Sequence, residues 1–183
     1  MTNCLITYGY TKGCRDNIGG IKKLYLANLS NIDSASPVLC AVGTPIDEGT
    51  VDSITMVASK YFWEIELTKD NGNFEVTVNI NPETGNVTYV PTMNFTLPKM
   101  DVNTRNLLNN ITREDIVAIA EDNLGNTWIL GEEYGLVATT ATASSGKAKA
   151  DLNGWTVALV GEERFEPRYV ADDVIDSVLQ PEV

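Results

Sequence analysis

The stretch Trp63-Glu64-Ile65-Glu66-Leu67-Thr68-Lys69-Asp70-Asn71-Gly72-Asn73-Phe74-Glu75-Val76-Thr77-Val78-Asn79-Ile80 decides the fold class. Apolar and polar residues alternate with a period of two on both sides of an Asn-Gly step, as in β-strands that bury one face. Trp63, Ile65 and Leu67 share one side of the first run, and Glu64 and Glu66 the other. In the second run Phe74, Val76, Val78 and Ile80 are expected to point inward. Asp70 to Asn73 reads as a hairpin turn joining the two runs, because Asn-Gly takes the left-handed conformations that tight turns require.

Further strands follow on the C-terminal side. Asn81 to Gly85 turns the chain, and two segments come next, Val87 to Val90 and then Met93, Phe95 and Leu97, ended by Pro98. Asp101 or Asn103 caps a helix over Thr104 to Ile111, with Leu107, Leu108 and Ile111 at helical spacing. Residues Ile116 to Ala120 admit two readings. Thr112-x-x-Asp115 imitates a capping box, but the turn Asp122 to Asn126 and the run Thr127 to Leu130 favour a strand and its return arm. Trp155 to Val160 is another strand, and Trp63, Trp128 and Trp155 read as core. On the N-terminal side, Leu5 to Tyr10, Ile21 to Asn28 and Val38 to Val42 are short strand candidates in an otherwise irregular, glycine-cut segment 1–40.

Residues 136–150 stand apart: alanine, threonine, serine, glycine and two lysines, with almost nothing to bury. They read as a long extended hairpin arm between two strands, a length that compact domains keep for function. Residues 161–183 form an acidic C-terminal segment of local charge −5, against +3 for residues 1–23. The expected whole is a single mainly β domain over 1–183, a β-sandwich or partly closed barrel with one short flanking helix.

Charge and composition narrow the function. The 183 residues carry 13 Lys and Arg against 25 Asp and Glu, a net charge of −12, which would repel a phosphate backbone at long range. Histidine is absent, removing imidazole bases and the commonest zinc ligand. Cys4, Cys14 and Cys40 form no Cys-x-x-Cys pair and suit a reducing compartment. The amino end lacks the features of a signal peptide, and no run reaches the ~20 apolar residues of a membrane helix. Ser145-Gly146-Lys147-Ala148 fails as a phosphate loop on both flanks, at Ala141 and at Ala148. Asp70–Asn73 and Asp122–Asn126 lack the alternating ligands of a calcium loop. Glu64 with Glu66, Glu132 with Glu133, and Glu162 with Glu163 read as solvated charge rather than acid–base pairs. The sequons at Asn28, Asn86, Asn94 and Asn110 carry no meaning without secretion. No catalytic residue, cofactor or metal site is expected.

Residues 122–136 (Asp-Asn-Leu-Gly-Asn-Thr-Trp-Ile-Leu-Gly-Glu-Glu-Tyr-Gly-Leu), the small-residue arm, and 151–163 (Asp-Leu-Asn-Gly-Trp-Thr-Val-Ala-Leu-Val-Gly-Glu-Glu) together resemble the tail-tube and neck-ring structural proteins of tailed bacteriophages, especially crAss-like phages. The openings Cys4-Leu-Ile-Thr-Tyr-Gly-Tyr10 and Cys14 to Lys23, and the strand-to-helix stretch Leu97 to Ile111, are similar to the same proteins. The resemblance implies a virion protein of the neck, connector or tail, made in the host bacterial cytoplasm. Identical subunits would form a hexameric or dodecameric ring beside other virion, portal-side or tail proteins, and genomic DNA would pass through without sequence-specific binding; no membrane is involved. Within that picture Thr139, Thr140, Ser144, Ser145, Gly146, Lys147 and Lys149 form an inter-subunit arm ordered on assembly. Lys22 and Lys23 against Glu162 and Glu163 are the expected ring-stacking charges, and Glu64 and Glu66 the expected lumen carboxylates. The alternative is a soluble β-sandwich ligand-binding module, carbohydrate-binding or adhesin-like, using aromatics such as Tyr8, Tyr10 and Tyr61.

Overall fold

The computed structural model describes residues 9–11, 17–33, 49–51 and 53–180. All three cysteines, the strand candidates at 5–8 and 38–42, and Tyr8 lie outside the described residues. The chain is laid around β6 (Ile116–Asp122), in which Ile116, Val117, Ala118, Ile119 and Ala120 are all buried. A strand covered on both faces shows no alternation, which is why this run was ambiguous between strand and helix. On one side β6 pairs antiparallel with β1 (Ile21–Asn28), and on the other with β7 (Thr127–Leu130). Asp122 builds the β6–β7 turn: its carboxylate accepts the N–H groups of Leu124 and Asn126 at 2.8 and 2.9 Å. Burial pushes that carboxyl up, but the hydrogen bonds from Asn126 and Leu124 outweigh it and hold it below its usual range.

β10 (Arg168–Val170) and β2 (Thr50–Val51) extend this sheet beyond β7, and β3 (Trp63–Ile65) extends it beyond β1. A second, four-stranded sheet runs in the order β4 (Gly72–Asn81), β5 (Asn86–Pro98), β9 (Gly154–Val160), β8 (Val137–Ser144), antiparallel throughout. α1 spans Val102–Ile111 and α2 Asp172–Val178. Asp101 is the α1 cap, accepting from the Thr104 N–H at 2.7 Å, and Leu108 and Ile111 are the residues α1 buries.

Two apolar layers hold the elements together. Leu24, Leu26, Ala118, Ala120 and Leu130 on one face of the six-stranded sheet pack against Met93, Phe95, Leu97, Val157 and Leu159 of the other sheet. Tyr25, Ala27, Val51, Val117, Ile119 and Ile129 on the opposite face are covered by Ile54, Phe62 and by Val174, Ile175 and Val178 of α2. Fully burying one such aliphatic side chain is worth about 1.5–3 kcal/mol. The architecture is a mainly β, sandwich-like fold with both sheets open, not a closed barrel.

Several expectations are corrected. Among the described residues there are two α-helices, not one: Val174, Ile175 and Val178 place an apolar stripe at helical spacing inside the acidic segment. The Asn71-Gly72 step does not join paired strands. β3 pairs with β1 and β4 with β5, so residues 66–71 carry the chain from one sheet to the other. Turn chemistry reports a local reversal and is silent about which strands then pair. The hairpin lies one turn later, at Asn81–Asn86, where Gly85 has φ +70° and donates to the Asn81 carbonyl. β5 is one strand, running through Pro91. β9 itself reaches only to Thr92, and just past its end the Pro91 carbonyl still accepts the Gly161 N–H at 3.0 Å, so the proline forgoes only a donor there.

The run 60–69 shrinks to the three residues of β3, and Trp63 is 55% exposed rather than core; Trp128 and Trp155 are half-buried. In β4, Phe74 and Val76 are half-buried, but Val78 and Ile80 are 46% and 68% exposed, because the β4–β5 hairpin reaches past the facing sheet.

Candidate functional site

The small-residue arm is a strand. β8 pairs with β9 from Val137↔Val160 to Ser144↔Gly154, with a bulge between Ala138 and Thr140, and the Thr139 hydroxyl donates to the Ala158 carbonyl at 3.3 Å. Its root is fixed by Leu136, fully buried, which exchanges two backbone hydrogen bonds with Ile116. Order on assembly is therefore corrected to order within the chain. Backbone pairing needs no side-chain volume, so a composition with little to bury said only that these side chains face outward. Among them Ala138 alone packs against the core cluster.

The tip of the arm is a turn that Asp151 organises, accepting the N–H groups of Lys147 and Ala148 at 2.8 Å each. Those bonds hold its carboxyl below the usual range. Gly146 supplies φ +69° and donates to the Ser144 hydroxyl, while the Ser145 hydroxyl donates to the Gly146 carbonyl. Thr140, Lys147 and Lys149 are exposed. β8 has no strand partner on its outer edge among the described residues, nor has β4. The tip of the β4–β5 hairpin adds an apolar patch: Ile80 is registered against Val87, beside Val78.

The remaining charges are arranged differently from expectation. Lys22 is exposed and Lys23 half-buried, and they share an internal partner, Glu121, at 2.8 and 3.8 Å. Glu162 is exposed, whereas Glu163 is only 6% exposed and is corrected from a stacking charge to an internal anchor. Its carboxylate accepts the N–H groups of Glu133 and Tyr134 at 3.0 and 3.1 Å, pinning the Gly131–Gly135 crossover between the sheets. Beside it Arg168 donates to Glu132 at 3.0 Å, and both Arg164 and Arg168 lie over the Phe165 ring. Glu64 and Glu66 are both exposed; Glu64 lies in β3 opposite Tyr25, and Glu66 lies just past the strand. The anchoring role of Glu163 was missed because Glu162-Glu163 resembles any solvated pair. The signal was the flanking glycines, Gly131, Gly135 and Gly161, which let backbone amides approach a carboxylate.

Burial, against the opposing pull of Arg168 and reinforced by Glu163 and Glu133, pushes the Glu132 carboxyl up to about 7. Between its ordinary value of 4.5 and about 7 the folded chain holds a proton that the unfolded chain releases. This stability is complete below the lower value and is lost as pH rises through the upper one. Urea midpoints are thus expected to rise on acidification from pH 8 to pH 5, and Glu132→Gln to flatten that rise. An unchanged slope in the variant contradicts the assignment.

Among the described residues no group of three or more His, Cys, Asp or Glu is placed to hold a metal ion. A family model, PepSY (peptidase propeptide and YPEB domain), matches residues 43–90, about a quarter of the chain. No curated protein and no solved structure matches. The matched stretch takes β2 and β3 from opposite edges of one sheet, then β4 and part of β5 from the other, and ends inside β5.

Proposed function

We propose that this chain is a non-enzymatic structural protein of a tailed-phage particle. It assembles with identical copies into a hexameric or dodecameric ring of the neck, connector or tail around a passage for genomic DNA. The supporting observation is the β8–β9 hairpin, whose β8 strand carries small, exposed side chains and, among the described residues, an unpaired backbone edge. A lone domain gains nothing from such an edge and risks indiscriminate pairing, whereas closure into a ring satisfies every copy's N–H and C=O groups. The exposed tip at Val78, Ile80 and Val87 offers apolar surface for the same purpose. Glu64 and Glu66 remain the lumen candidates; carboxylates repel phosphate, so DNA slides without being held.

Two other readings have less support. A ligand-binding module would stay monomeric. A propeptide-like role, suggested by the PepSY match, would require residues 43–90 to act as a unit, and they are divided between two sheets.

The purified chain is expected to elute at several times its 19.9 kDa and to show annuli in negative stain. The double variant Thr140→Lys, Thr142→Lys, which places charge along the β8 edge, is expected to abolish annuli with little change in the urea midpoint. A wild-type chain that stays monomeric at high concentration, or annuli that survive the double variant, would overturn the proposal.

A further inference from the structure

We propose that the apolar tip of the β4–β5 hairpin docks into the groove between α1 and β3 of a second copy of this chain, a head-to-tail contact. The contact rests on the self-assembly proposed above and gives it two defined surfaces.

The tip is a stretch of core face without a cover. Val78 and Ile80 lie on the side of β4 that also carries Phe74, and Val87 is registered against Ile80. The same side of β5 carries Met93 and Phe95, which are buried between the sheets. Beyond the facing sheet Val78, Ile80 and Val87 are left exposed. Residues 76–90 carry a single charge, Glu83, although 21% of the chain is charged.

The groove is the concave counterpart, with a volume of about 330 Å3. Leu26, Ile65 and Ile111, all buried, and the half-buried Leu107 give it an apolar lining. Trp63 also lines it and stands 55% exposed on β3, an edge strand among the described residues. The polar groups are the carboxamides of Asn28, Asn31 and Asn110, and no charged residue lines the groove.

Charge and position select the occupant. Copies carrying −12 each repel one another, so contact is least opposed where both surfaces are uncharged and apolar, as the tip and the groove are. The two surfaces belong to opposite ends of the molecule. β5 spans 13 residues, about 40 Å at roughly 3.3 Å per residue, with the tip at its start and the lead into α1 at its finish. The base of the tip, at Pro91, lies beside Ile129 of β7, whereas the groove lies at β3, with β6 and β1 between them in the sheet. A tip therefore cannot fill its own groove, and two tips packed together would leave both grooves empty. A knob at one end and a hole at the other make a heterologous contact, which closes into a ring when the rotation per copy allows it and otherwise grows a helical filament.

The test uses full-length chain with the photoreactive p-benzoylphenylalanine at position 80, co-assembled with 15N-labelled wild type and irradiated. Cross-links are expected on the 15N-labelled tryptic peptides 61–69 and 106–113, which hold Trp63, Ile65, Leu107 and Ile111. Ile80→Glu and Trp63→Lys are each expected to weaken association by about tenfold or more, as a charge in the apolar centre of an interface does. Ile80 is 68% exposed and Trp63 55%, so urea midpoints should hardly move. The chain carrying both substitutions is expected to regain association, because the glutamate of one copy then meets the lysine of the next. Cross-links in the groove of dimers or filaments without annuli would uphold this contact and sink the ring. Annuli whose cross-links fall elsewhere, or that both single variants leave intact, would overturn the contact and spare the ring. A wild-type chain that stays monomeric, or cross-links confined to unlabelled peptides, would also overturn the contact.

Discussion

Alanine at position 154 is expected to cost about 2–3 kcal/mol, the upper range for overpacking a filled site. Gly154 is buried at the end of the arm next to its tip turn, paired with Pro98 on one side and Ser144 on the other. An added Cβ would stand 2.3 Å from the Leu97 carbonyl oxygen and 3.1 Å from the Pro98 Cα. Both are backbone atoms, so no rotamer relieves the clash and β5 and β9 must separate locally. The loss is measured as a lower urea midpoint. It is expected to come with loss of any assembled species, because β8 hangs from the same strand. A variant within about 0.5 kcal/mol of the parent, the usual range for a neutral surface change, contradicts this account of the contact between β5 and β9.

Glu163→Ala is expected to destabilise by about 2–3 kcal/mol, since hydrogen bonds to a charged group are worth about 1.5–3 kcal/mol each. Two backbone N–H groups, of Glu133 and Tyr134, lose their acceptor, and the crossover they anchor is the covalent route from β7 to β8. Part of the gross loss is offset, because burial works against the carboxylate and raises its pKa. Glu163→Gln keeps one acceptor oxygen and turns an amide donor toward the other N–H, so it is expected to fall between the parent and alanine. Amide hydrogen exchange at 133 and 134 separates this from a general loss of packing. Those two amides should lose protection in Glu163→Ala well before the β6 amides do. Equal loss in both places counts against a local anchor.

Much of the architecture was legible in the residues. The helix expected over 104–111 and found over 102–111 has its cap, Asp101, and its three apolar positions all within eleven residues. The β6–β7 hairpin announces itself through Asp122 and the turn that follows. These features are local, and their hydrogen bonds close within a few residues. The arm was legible as extended but not as ordered, since what orders it is β9, whose pairing leaves no mark on the composition of β8. At the candidate site, the outward-facing arm residues were found from sequence. The anchoring carboxylate Glu163 was not, because it joins residues from elements far apart in the chain.

By itself the amino-acid sequence determined that the chain would form strands, which side chains would alternate, where the chain would turn, and that its charge would be strongly negative. Each of these follows from the near neighbours of a residue. Tertiary structure alone decided that Asn71-Gly72 changes sheets, that Val78 and Ile80 stay outside while the equally apolar Phe74 is partly covered, and that one glutamate of the pair 162–163 is buried. Burial is set by whatever surface arrives from elsewhere in the chain, and a period-two pattern is identical whether or not an opposing sheet extends far enough to meet it.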